Sequence, residues 1–306
     1  MTRKRFGIVV LTLVLCIAAV SAADQVLEQA DALYRQDKLE EAKAMLLTAL
    51  SSKTSAPDKA YVLWRLSRIV LNIGDELDAE GASKDTLFAT YEEAQSYAEQ
   101  AISLHPLAEA YQWRASSVGR WGETKGPLNA LGKAEPMRKD LAVVINDFND
   151  LNNSEVWYVL GQLYFQLPGW PISFGNLDTA ISYTRKALDT VPSDEQFPGH
   201  YKALAEMLWK RDWSASKRNS EIAKIQKQWD KNANKSALER HEYYEGSKGT
   251  GAKPFYTNKT LKEMSDREEA LILVNYAISE YPKWPFHSRG DARTLDDLQK
   301  LLAEYR

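Results

Sequence analysis

Ala187-Leu-Asp-Thr-Val-Pro192 closes one stretch of this chain, and its outline returns as Ala101-Ile-Ser-Leu-His-Pro106 and Ala277-Ile-Ser-Glu-Tyr-Pro282. Each copy carries another alanine seven residues earlier, at Ala180, Ala94 and Ala270. Two alanines a heptad apart lie on one helical stripe, where the missing bulk lets a second helix come close. The proline cannot continue a helix and opens the next turn. Ala42 and Ala49 repeat the spacing without the proline. Outward from Ala187, the preceding helix reads Trp157-Tyr-Val-Leu160-Gly161-Gln-Leu-Tyr164, with a large residue, Leu-Gly and an aromatic at helical spacing. The N-terminal unit keeps the same register through Ala30, Leu33, Ala42, Leu46 and Ala49. A unit from Ala60 places Trp64, Ser67 and Leu71 on its first helix and reaches Ala94 after a longer connection. Tyr111, Ala115 and Val118 form another first helix, paired with Leu141, Ile145 and Phe148. A helix pair cannot bury its apolar stripe alone, so the recurrence predicts an all-α chain of stacked pairs.

Composition agrees. The 306 residues are 44% apolar and 26% charged, with 15 Gly and 11 Pro, too few turn residues for an all-β fold and too many charges for a multispanning membrane protein. A net charge of -3 excludes electrostatically driven nucleic-acid binding. A single cysteine, Cys16, excludes a disulfide framework and a cysteine-rich zinc site. Arg3, Lys4 and Arg5 precede an apolar run from Phe6 to Val20 and then Ser21-Ala22-Ala23, the layout of a secretory signal peptide over residues 1–22. Its removal leaves 36 basic residues against 42 acidic ones, a net charge of -6. A lipoprotein site at Cys16 is the other reading of this segment, opposed by Leu15, which is bulky where the processing enzyme wants a small residue. The expected location is the periplasm.

The Trp-x-x-Leu-Gly-x-x-Tyr helix followed by alanine, alanine and proline resembles the tetratricopeptide repeat. The expected architecture is a tetratricopeptide-repeat α-α superhelix with long inter-helix insertions. It occupies residues 23–306: repeat-like over 25–192, divergent over 193–260, with a last repeat and closing helix over 261–306. Two insertions hold the candidate site. One is Tyr111-Gln-Trp113-Arg114-Ala-Ser-Ser-Val-Gly119-Arg120-Trp121-Gly-Glu-Thr-Lys-Gly126, and the other Leu167-Pro-Gly-Trp170-Pro-Ile-Ser-Phe174-Gly-Asn176. Arginine beside tryptophan suits stacking and carboxylate recognition, but an arginine that ties helices together through carbonyls or Glu123 fits the same pattern. Trp170 and Phe174 are costly to expose; they either plug a gap between helices or wall a ligand site or docking knob.

These two stretches resemble the TatT family of periplasmic tetratricopeptide proteins associated with tripartite (TRAP) transporters, and more weakly the regulators of microtubule dynamics. The resemblance covers roughly residues 25–192. It implies an internal apolar channel or groove, a periplasmic solute-binding protein as partner, a small apolar or carboxylated ligand, and self-association into a homo-oligomer. Trp113, Arg114, Arg120, Trp121, Trp170 and Phe174 are then the candidate ligand- or partner-binding residues. An envelope assembly scaffold without a small-molecule ligand is the alternative, and a hydrolase a more distant one. No cofactor, metal or nucleic acid is expected. His105, His200, His241 and His287 form no metal-ligand spacing, and no nucleophile elbow or dinucleotide fingerprint occurs. After Pro198 an amphipathic stretch runs from Tyr201 to about Glu245, in which Lys202, Lys210, Arg211, Lys217 and Arg218 read as a solvated basic face. Gly246 to Pro254 reads as a loop, and a closing helix is expected from about Thr294 to Tyr305.

Overall fold

A computed structural model describes residues 22–193 and 195–306. The expected signal segment, with Cys16, lies outside these residues except for Ala22, where the first helix begins. Fourteen α-helices and no strand are found among the described residues. They are α1 (Ala22–Arg35), α2 (Leu39–Ser52), α3 (Ala56–Ala79), α4 (Lys84–Leu104), α5 (Ala108–Lys125), α6 (Leu131–Ala142) and α7 (Ser154–Gln166), followed by α8 (Leu177–Thr190), α9 (Pro198–Arg211), α10 (Ala215–Lys231), α11 (Ala237–His241), α12 (Tyr244–Ser247), α13 (Asp266–Glu280) and α14 (Arg289–Tyr305).

The repeat alanines are where the helices meet. Ala94, Ala101, Ala180, Ala187, Ala270 and Ala277 are all completely buried, and each helix from α1 to α6 packs on the next, as do α7 on α8 and α8 on α9. Gly161 of α7 sits so close to α8 that an added methyl would overlap Thr184 Oγ1. The helix starts are set by side-chain caps: Ser55, Ser83, Asn153, Asn176, Ser214, Ser265 and Ser288 each accept a first-turn backbone N–H. Pro106 and Pro192 follow the ends of α4 and α8, and Pro282 lies in the 3-10 turn Tyr281–Lys283 that ends α13. The pairing expected for Tyr111, Ala115 and Val118 is present: α5 packs on α6 and on a π-helical turn, Val143–Asp147, that carries Ile145.

Beyond residue 195, α9 continues the succession, whereas α10 to α12 do not. Helix α13 packs directly on α9, so α10 to α12 form an excursion between them. The stretch from Tyr201 breaks at Asp212, whose backbone is left-handed (φ 54°), and restarts under the Ser214 cap. The basic face read there is corrected at two positions. Arg211 and Arg218 have side chains 3% and 0% exposed. With Arg185 they meet Glu245, Asp266 and Glu269 in a buried network of three guanidiniums and three carboxylates. Its links include Arg185–Glu269 at 2.7 Å, Arg211–Glu245 at 2.6 Å and Arg218–Asp266 at 2.5 Å. Burial alone would raise the Glu245 carboxyl, but the Arg211 and Arg185 guanidiniums hold it down at about 2. Gly246 is a member of α12 rather than of a loop, pressed against the α10 backbone at Ile225 and Gln226, where any side chain would collide. The closing helix begins five residues earlier than expected, because Ser288 and Asp291 form a reciprocal capping box.

Candidate functional site

The first helices of the pairs, α1, α3, α5 and α7, turn one side toward a common cavity of about 1060 Å³, and α14 lies across it. Helix α14 reaches the N-terminal helices through ion pairs. Arg289 Nε lies 2.7 Å from Asp37 Oδ2, and Arg293 lies 2.6 Å from Glu76 Oε1. The wall carries eleven Asp and Glu side chains against five Lys and Arg. Of those five cations, Arg68, Arg120, Arg293 and Lys300 are already paired with Asp31, Asp75, Glu76 and Asp297, and Lys133 lies over the Trp121 ring. The charged part of the lining is therefore mostly acidic, beside an apolar wall that includes Trp64, Leu71, Trp113, Val118, Met137 and Leu163.

Glu155, at the second position of α7, is a strongly perturbed wall residue. Asn153 caps α7 by accepting from Val156 N–H, which sets the Glu155 side chain toward the cavity. Its carboxyl is crowded by protein yet keeps 32% of its side-chain exposure. Burial, and then the Glu195 and Asp291 carboxylates, push it up to about 8. Behind it stands His200, 2% exposed, its ring stacked on Tyr158 at 4.5 Å and on Phe197 at 5.2 Å. Burial pushes this imidazole down to about 3, against a backbone hydrogen bond at Ser154. His200 Nε2 lies 3.4 Å from Glu155 Oε1, and neither atom has a hydrogen-bond partner. With the carboxyl raised and the imidazole lowered, the neutral form of each group is favoured. Tyr34 of α1 belongs to the same corner: burial pushes its hydroxyl up to about 12, with Arg68 opposing and Glu155, Glu195 and Asp291 adding to the rise.

The structure does not gather the six residues singled out in the sequence. Trp113 and Arg120 line the cavity; Arg114, Trp121, Trp170 and Phe174 do not. Arg120 donates to Asp75 at 2.7 Å and to Glu123 at 2.6 Å, and Tyr91 also donates to Asp75. Arg114 holds Asp140 through two parallel bonds of 2.7 and 2.5 Å. Both guanidiniums thus tie helices together, and neither is free for an anion. Trp121 donates its Nε1 proton to Glu92 and packs on Phe88 at 5.2 Å, outside the cavity. Phe174 rests on Tyr164 at 5.1 Å and fills the seam beside α7. Trp170 plugs no gap between helices, and of the readings in the sequence the docking knob is the one its exposure leaves. It is anchored in nothing and stands 90% exposed beside Ile172 at 65%.

Glu155, His200 and Tyr34 escaped sequence reasoning. His200 is 45 positions from Glu155, and no spacing rule joins them. The one local signal was the Asn153 cap, which announces a helix start but not what its second residue faces.

These observations define a class: an all-α protein of stacked helix pairs, with a cavity on the side of its first helices. Residues 26–173 match the family described as Regulator of microtubule dynamics protein 1-3. Among curated proteins no match to the chain is found. Among solved structures, a thermophilic TPR protein of Thermus thermophilus is similar, with a TM-score of 0.47 and 17% identity over 74% of this chain and 99% of that one.

Proposed function

We propose that this is an exported binding or adaptor protein, an accessory subunit of a TRAP-type solute transport system that contacts a periplasmic solute-binding protein and shelters a small molecule. The observation that carries this reading is the cavity walled by α1, α3, α5 and α7 and spanned by α14. Its volume lies at the top of the usual range for small-molecule sites, roughly 300–1,000 Å³. The exposed pair Trp170 and Ile172 supports a protein contact elsewhere on the surface. Signal-peptide layout and the two quoted insertions support export and the transporter association.

The test is affinity capture from the periplasm of the native host, using the full chain with a C-terminal tag. Recovery of a TRAP solute-binding protein, reduced by Trp170→Ala without loss of thermal stability, is the expected result. Recovery of envelope-assembly proteins alone would replace the transport reading with the scaffold reading. Sedimentation of the same preparation reads the homo-oligomer expected from the resemblance.

A further inference from the structure

We propose that the cavity takes an organic polycation of the aliphatic amine class, with one ammonium group seated in the corner formed by Glu155, Glu195 and Asp291. This rests on the ligand-sheltering part of the function proposed above and names its ligand class.

The argument begins with what the corner lacks. Three carboxylates from three elements, α7, the segment before α9 and α14, face one region of the cavity wall. None of the three has an ion-pair partner of Lys or Arg among the described residues, although Asp291 is held by its Ser288 capping box. Arg68, which faces Tyr34 of the same corner, is spent on Asp31 and on the faces of Tyr34 and Trp64, at 4.0 and 5.2 Å. Burial first, and then the unneutralised Glu195 and Asp291 carboxylates, raise the Glu155 carboxyl, and no counter-cation offsets either.

A second observation concerns the buried imidazole beside Glu155. His200 is nine-tenths buried and more, and its Nε2 aims at Glu155 Oε1 without a hydrogen bond. With the imidazole neutral, both atoms are acceptors whenever Glu155 ionises. The corner is then short of N–H donors, which an ammonium group carries in threefold supply. A metal ion does not answer the need: among the described residues, no three His, Cys, Asp or Glu side chains are placed to hold one. Carboxylates spread too widely for one ion suit charges spaced along a flexible chain. Asp78, Glu109 and Asp296 continue the unpaired acidic lining away from the corner, and the rings of Trp113, Tyr158 and Phe197 offer faces to the methylenes between charges.

Binding is also coupled to pH. The groups facing Glu155 are His200 and Tyr158 behind it, Glu195 and Asp291 across the corner, and Tyr34 and Arg68 from α1 and α3. An arriving ammonium favours the ionised carboxylate, so Glu155 releases its proton as the ligand binds. Affinity therefore rises with pH up to about 8 and levels off above it.

The experiment is calorimetric titration of the full chain with spermidine, at physiological ionic strength so that diffuse attraction to the acidic surface is screened. Butanediol and succinate are the neutral and anionic controls. Saturable binding of spermidine alone is expected, weakened about tenfold by Glu155→Gln and by Glu195→Gln, each removing one charge-assisted bond. Asp230→Asn, an exposed position outside the cavity, should leave it unchanged. Glu195 lies outside the helices, so its variant keeps the test valid if Glu155→Gln fails to fold. Absence of saturable spermidine binding, binding of succinate instead, or equal affinity of the Glu195→Gln and Asp230→Asn variants overturns the proposal. Capture of a solute-binding protein in the experiment above, combined with failure here, sinks the ligand class and leaves the adaptor reading standing.

Discussion

Glu155 and His200 show how much a single contact can control when no solvent shares it. In the folded chain the carboxyl stands at about 8, raised from 4.5, and the imidazole at about 3, lowered from 6.5. The carboxyl's raised value gives stability that is fully present below 4.5 and lost as pH rises through 8. The depressed imidazole gives stability present above 6.5 and lost as pH falls toward 3. Between 4.5 and 6.5 the folded pair and the unfolded chain each hold one proton, so the pair's contribution is flat there. Thermal unfolding followed across pH should show this: relative to the parent protein, Glu155→Gln gains several degrees in Tm between pH 5 and about 8, and nothing further above. A difference that does not vary with pH would mean that the carboxyl titrates normally. None of this was legible in the sequence, because the pair is made by a fold that brings α7 and α9 together.

At the scale of elements the sequence was far more informative. The alanine heptads located α4, α8 and α13, and the Leu160-Gly161 step located α7, because close helix approach demands small residues on both sides. Gly161 is the sharpest instance. Thr184 Oγ1 lies where its Cβ would stand, with the Ala180 carbonyl 3.3 Å away. Gly161→Ala should therefore cost about 1–3 kcal/mol in urea unfolding, despite the gain in helix propensity, because α7 must move off α8. Gly132, with nothing near its Cβ, is the control, and Gly132→Ala should be neutral or stabilising. The insertions were harder. Trp170 and Phe174 stand four residues apart in one loop, yet one is exposed and the other packed on Tyr164. Which aromatic faces inward depends on the loop's path, and composition does not record it.

The whole molecule is held by two kinds of charge contact that differ in burial. Arg185, Arg211 and Arg218 with Glu245, Asp266 and Glu269 fasten the excursion of α10 to α12 back onto α8, α9 and α13. Removing one member leaves a charge stranded in the interior, so Arg218→Met should destabilise the protein by about 3–5 kcal/mol in denaturant titration. The contacts of α14 are of the other kind. Arg289 and Arg293 are about half exposed where they meet Asp37 and Glu76. Arg293→Ala should change global stability by less than about 1 kcal/mol, while hydrogen exchange speeds up in the first turns of α14, where the bond across the cavity is lost. Unchanged exchange there would show that α14 is held by its packing on α9 and α13 instead.

The sequence by itself determined the helical class, the stacking of pairs and the ends of the repeat helices that prolines mark, since prolines and small residues act within a turn or between chain neighbours. Tertiary structure alone decided that Arg211 and Arg218 are interior, that Arg114 and Arg120 are spent on helix ties, and that acidic groups outnumber basic ones on the cavity wall. The physical reason is range. Backbone sterics and capping are satisfied locally and leave a mark at fixed spacing, whereas a charge is defined by what the fold places within a few ångströms of it. In this chain those partners lie tens of residues away.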